Sequence, residues 1–163
     1  RAELLTSGTG IGRVDHLLDP LRDLYDVIIL DTPPAAGILQ QSAIAACDGV
    51  LTPIILEGFA IEGLETLLDT IEQVRPYNPD VEYLGCVVTI LDTRKRSQRK
   101  ILRHLERHED ARLMDVRVRT DARVNDAQIL NVPGRVHDAS AKAAREYDRL
   151  ARHLEEVLTD GTH

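Results

Sequence analysis

The residue types best suited to chemistry cluster at residues 25–37, where Val27, Ile28, Ile29 and Leu30 run without a break into Asp31, Thr32, Pro33 and Pro34. A continuous apolar run of this kind is the pattern of a strand covered on both faces, as in a parallel sheet with helices on either side. The Asp31 carboxylate would then emerge at the carboxyl edge of the sheet, where open α/β folds bind ligands. A carboxylate there can hold the water shell of a magnesium ion that bridges nucleotide phosphates, which makes Asp31 the candidate catalytic and metal-associated residue. The proline pair stiffens the loop that follows, so Thr32, Pro33 and Pro34 become candidates for sensing the outermost phosphate. A strand closed by a capping Asp accounts for the apolar run equally well. The DTPPAAG continuation is what favours a site.

A nucleotide site also needs a phosphate cradle, and Ser7-Gly-Thr-Gly-Ile-Gly12 is the segment to consider. It lacks the Lys-Ser/Thr pair of a phosphate loop and follows no apolar strand, so it reads as a lead-in to the first helix. Taken by itself, such a chain should not hydrolyse ATP.

The elements that must position Asp31 follow from periodicity. Helices are expected at residues 14–24, 39–46, 61–74, 97–108 and 139–158, with strands at 27–31, 50–56, 83–91 and 116–118 and a loop-rich stretch up to Asp138. The third helix should stop at Arg75, because Pro76 follows. Strands alternating with helices across short turns predict an α/β fold with a doubly wound, mostly parallel sheet. With 163 residues and no linker or repeat, a single domain over 1–163 is expected.

Composition narrows the setting. No apolar run is long enough to span a membrane, and the tail from Glu155 on is acidic and polar, unlike a basic amphipathic anchor. Cys47 and Cys86 sit in apolar surroundings, which fits core thiols in a reducing cytoplasm. The first residue is Arg1, so a processed, excised or incompletely recorded product is expected. His104 and His108 lie one turn apart, without a carboxylate or thiolate at metal-binding spacing, and read as surface residues.

Charge is divided along the chain. The formal net charge of −7 hides a first part (residues 1–93) that is strongly acidic and a second part that is basic, which predicts an anion-binding patch in the second part. Arg96, Arg99, Lys100, Arg103 and Arg107 share one face of the expected helix at about 100° per residue, with Ile101, Leu102 and Leu105 opposite. Such a stripe binds phosphate backbones without reading bases. No aromatic residue interleaves it, so duplex DNA fits better than stacked single strands. A solvated surface helix is the plainer alternative.

From about Leu17 to Leu158 the chain resembles the carboxyl-terminal part of ParA-type partition ATPases, deviant P-loop proteins that segregate plasmids and chromosomes. The resemblance rests on YDVIILDTPPAAG, on Pro53 with the segment from Glu57 to Leu64, on Gly85 to Arg94 with its Asp-x-Arg ending, and on Arg123 to Ala127 with Tyr147. It implies an intact protein in which ATP and Mg2+ drive a sandwich homodimer that binds DNA nonspecifically on the nucleoid. A ParB-like centromere-binding partner would stimulate hydrolysis. Asp31 would take the magnesium-associated role through water and Thr32 to Gly37 the switch. Val118 and Arg119, with the loop to Asp121, would form part of the adenine pocket. Arg96, Arg99, Lys100, Arg103 and Arg107, with Lys142 and Arg145 of the last helix, would form the DNA surface. The family often has Ile-Pro-Arg-Asn where this chain reads Val118-Arg119-Thr120-Asp121, and loss of the proline predicts a less constrained loop. Arg123 is expected to pair with Asp126 or Asp121. A noncatalytic module that binds DNA or a full-length subunit is the alternative. A bacterial tyrosine kinase-like domain is disfavoured, because no tyrosine-rich tail is present.

Overall fold

The computed structural model describes residues 10–33 and 37–160. The chain divides into two compact units, Arg1–Leu51 with Ile61–Leu84 and Thr52–Ala60 with Gly85–His163.

In the first unit, α1 (Arg13–Arg22) buries Leu18 and packs against α2 (Ile38–Ala46). Small side chains let α2 sink inward, so Ser42 to Ala46 are all buried. The Ser42 hydroxyl donates to the Ile38 carbonyl at 2.6 Å, which satisfies it inside the core. Beyond the helix, the buried Asn78 amide donates to the carbonyls of Ile44 at 3.2 Å and Cys47 at 2.7 Å, groups a helix end leaves open. The next helix, α3 (Ala60–Val74), stops ahead of Pro76 as the sequence predicts and buries Leu64, Ile71 and Val74.

The apolar run at 27–30 departs from expectation. It forms no strand, and Val27 and Ile29 are 57% and 87% exposed. A strand exists by pairing its N–H and C=O groups with neighbours, and among the described residues no strand pairs with this run. Hydrophobicity alone does not recruit a partner.

The strands β1 (Gly49–Ile55) and β2 (Glu82–Leu91) begin in the first unit and end in the second, where β3 (Leu113–Arg119) completes a sheet of order β1-β2-β3. This is a parallel three-stranded sheet with flanking helices, the α/β class read from the sequence; β2 and β3 register Cys86 with Leu113 and Leu91 with Arg119. Cys86, Val87 and Val88 are successively buried, as expected for a strand covered on both faces. Within β2, Gly85 has φ +121°, and any side chain there would collide with the Arg112 carbonyl oxygen. β3 instead alternates, with Met114, Val116 and Val118 buried.

Between β2 and β3 lies α4 (Arg96–Leu105), three residues shorter at its end than predicted. The bonds from Arg107 N to His104 O and His108 N to Leu105 O tighten its last turn, leaving Arg107 just past the helix. The stretch to Asp138, expected as loop, holds α5 (Ala122–Ile129) and α6 (Gly134–His137). Asp121 supplies the missed start signal, since its side chain accepts from the Arg123 N–H at 3.2 Å, and Asn131 at φ 53° marks the stop. The final helix, α7 (Lys142–Asp160), packs on β3 and buries Ala143, Glu146 and Leu150.

Candidate functional site

Three groups of candidate residues stand on different supports. In the first unit, Asp31, Thr32 and Pro33 are exposed and lie in no regular element, while Pro34 falls outside the described residues. Asp31 is therefore accessible, but it does not cap a sheet strand among the described residues.

The cationic helix lies in the second unit. Its inner face is fixed by Leu105, by the half-buried Ile101 and Leu102, and by Gln98, which is 4% exposed. The Gln98 side-chain oxygen accepts from the Asp92 N–H at 2.8 Å, tying the first turn of α4 to the end of β2. Asp92 in turn accepts from Arg94 N at 3.0 Å, Nε at 2.9 Å and Nη2 at 2.9 Å. These bonds hold the Asp92 carboxyl down at about 2, with the side chain of Arg94 the largest cause. Arg94 is thereby committed within the chain.

Arg96, Arg99, Lys100, Arg103 and Arg107 are all exposed. The bonds their guanidiniums make run to backbone, from Arg99 Nη1 to Thr93 O at 2.9 Å and from Arg103 Nε to Arg99 O at 3.3 Å. Among the described residues no carboxylate neutralises them. Lys142 and Arg145 are exposed too, on the first turn of α7, three residues apart and so neighbours on its surface.

The third group follows β3. The Val118 side chain is buried, so only its backbone can face a ligand. Arg119 is bound to α7: its N–H donates to Glu146 Oε2 at 2.7 Å, and its guanidinium pairs with Glu146 Oε1. Arg123 donates to both oxygens of Asp121, each at 2.9 Å, and to Asp138 Oδ2 at 3.0 Å. Asp126 is not a partner in these bonds, and Asp138 was not foreseen. The Arg123 side chain is the main cause that holds the Asp121 carboxyl far below the usual carboxylate range; Ser140 and then Arg123 lower Asp138. Asp121 Oδ2 also accepts from Ala143 N at 3.3 Å. The loop expected to be loose is tied down by carboxylates.

Magnesium and ATP meet a partial fit. Asp31 offers one exposed carboxylate, and the described residues hold no cluster of three or more metal-ligating side chains. One carboxylate suits an ion that keeps much of its water and leans on phosphate oxygens. A phosphate cradle is not present among the described residues: Gly10 to Gly12 turn directly into α1, and no lysine precedes Lys95 in the chain. These residues fit the metal edge of a nucleotide site, without the part that grips the phosphates.

Comparison with known proteins bears on the same features. A family model described as AAA domain matches residues 2–83. The chromosome partitioning protein ParA of Myxococcus xanthus is 31% identical over 153 residues, which are 93% of this chain and 54% of that protein. The chromosome-partitioning ATPase Soj of Treponema pallidum is 30% identical over 146 residues, 89% of this chain and 57% of that one. The chain thus spans just over half the length of these curated relatives. Among solved structures, a cobyrinic acid a,c-diamide synthase from Mycobacterium smegmatis with bound ATP analog and magnesium superimposes with a TM-score of 0.72 at 26% identity, covering 93% of this chain and 57% of that one. Apo McdA from Cyanthece reaches a TM-score of 0.77 at 18% identity, over 93% of this chain and 62% of that one, a likeness of fold alone. Among the described residues, no helix is long and apolar enough to cross a membrane.

Proposed function

The chain belongs to the AAA-domain family of ParA-type partition ATPases, and from that premise we propose that it is the part of such an ATPase that carries nonspecific DNA contact. The observation that carries this reading is the exposed stripe of Arg96, Arg99, Lys100, Arg103 and Arg107, whose charge no carboxylate among the described residues cancels. A rigid helix with an apolar underside and a cationic outer face is a backbone-binding device. Lys142 and Arg145 extend the cationic surface on α7. In the intact protein, ATP and Mg2+ drive a homodimer on the nucleoid, and a ParB-like centromere-binding protein stimulates turnover. Asp31 holds the magnesium water shell, Thr32, Pro33 and Pro34 sense the nucleotide state, and the Val118 backbone with the loop after Arg119 contacts the base.

Titration of duplex DNA binding against salt tests the stripe. Five cations predict a log–log slope of about −4.5, and reversing Arg99 and Arg103 to Glu takes two phosphate contacts away, for a slope of about −2.7, and lowers affinity at least tenfold. An unchanged slope would sink the assignment. Replacing Asp31 with Ala in the intact protein should abolish magnesium-dependent hydrolysis while leaving the fold unchanged; retained turnover places the metal elsewhere.

The same stripe, which is cationic whether or not a nucleotide is bound, also suits a second reading. On that reading the chain is a noncatalytic module that binds DNA or a full-length subunit. The intact mass of the native protein separates the two: a value equal to 18.2 kDa selects the module, and one larger by roughly a hundred residues selects the ATPase.

A further inference from the structure

We propose that Glu146 is a positioning residue that sets the loop after β3 for contact with a nucleotide base. The inference rests on the base-contact role given above to that loop. The exposed surface of α7 is rich in charge, yet the helix turns one carboxylate inward: Glu146 is 4% exposed. A carboxylate so placed has to be matched by donors, because an unpaired buried charge is strongly unfavourable. Arg119 matches it at two levels. Its backbone N–H takes Glu146 Oε2 at 2.7 Å, and its Nε takes Oε1 at 2.5 Å. The first bond fixes where the backbone of the last β3 residue lies; the second fixes the direction of the side chain.

Two further ties act on the same loop from the α7 side. Asp121 receives the Ala143 N–H at the start of α7 as well as the Arg123 side chain, and Arg123 reaches Asp138, which itself accepts from Ser140 N at 2.8 Å. Asp121 and Arg123 can each be satisfied locally, by one another. Glu146 cannot, since its partner is 27 residues away along the chain. It is the tie that transmits the position of α7 to the carboxyl end of β3, the edge where open α/β sheets take ligands. Removing it leaves Arg119 free to swing into the space in front of that edge. A guanidinium there presents donors, which complement the O6 and N7 acceptors of guanine and not the N6 amino group of adenine. Clamping Arg119 to Glu146 therefore protects a preference for adenine.

The test uses the intact protein from its native source and three probes: a fluorescent ATP analogue, the matching GTP analogue, and inorganic tripolyphosphate, which has no base. Glu146→Gln should reduce the ATP-over-GTP affinity ratio at least fivefold and leave tripolyphosphate affinity unchanged, and Glu146→Gln with Arg119→Met should restore much of the ratio. In the 163-residue chain, amide exchange at Arg119 and Thr120 should speed up at least tenfold in Glu146→Gln. Equal losses for all three probes would reduce Glu146 to a general stabiliser and overturn the proposal, as would an unchanged ratio. If the unmutated protein itself shows no preference between the two nucleotides, the base-contact role of the loop fails, whereas unaltered exchange in the variant refutes the clamp alone.

Discussion

Residues 27–30 and residues 86–88 carry nearly the same message in sequence, a run of apolar side chains with no polar interruption, and the structure treats them in opposite ways. Cys86, Val87 and Val88 are at most 1% exposed inside β2, whereas Ile29 is 87% exposed in a segment without regular structure. The difference is not one of hydrophobicity. β2 has a parallel neighbour in β3 to take its backbone hydrogen bonds, and the earlier run has none among the described residues. An apolar run states a capacity for burial; a neighbour makes it a strand.

The comparison is broken most severely at the point where β2 gains its neighbour. Gly85→Ala should cost about 3 kcal/mol or more, because the φ of +121° disfavours any side chain and the new Cβ would meet the Arg112 carbonyl oxygen. Urea unfolding followed by circular dichroism reads this directly. A smaller effect sharpens the contrast between the two runs: Val88→Ala should cost about 2 kcal/mol, from lost burial and the cavity left behind. The matching change Ile29→Ala should stay within about 0.5 kcal/mol, as at other exposed sites. Comparable losses at the two positions would mean that the earlier run is buried in solution.

The smallest effect concerns acid. Asp92 titrates at about 2 in the folded chain, below the ordinary carboxylate value of about 3.9. A depressed folded value means that its contribution is fully present above the unfolded value and is lost as pH falls through about 2. The Tm difference between the unmutated chain and Asp92→Asn should therefore be small near pH 6 and shrink steadily between about pH 4 and 2. A difference that grows on acidification would show that Arg94 does not hold this carboxylate.

What could be read from the sequence was what is local. The end of α3 at Val74 was legible because the proline effect acts on the adjoining residue, and the α4 stripe was legible because helical spacing sorts Arg from Leu regardless of tertiary context. The paired strand β2 could be read as well, but whether the earlier run would find a partner could not, since pairing is decided outside the segment. The helices α5 and α6 were missed although Asp121 carried a start signal, because the apolar residues around it show no clear period. Hardest of all was Glu146. On the helical repeat it is one more acidic residue among Arg145, Tyr147 and Asp148, and only the fold shows that it turns inward to a partner on β3.

The uncancelled stripe on α4 also has a consequence at the bench. With a formal net charge of −7, the chain would be expected to pass unretained through a cation-exchange column at neutral pH. A resin, however, meets a surface and not a sum, and α4 with the turn after it offers five exposed cations that no carboxylate among the described residues pairs with. The protein should bind a cation exchanger as well as an anion exchanger, and elute from the cation exchanger earlier in phosphate than in chloride of equal ionic strength.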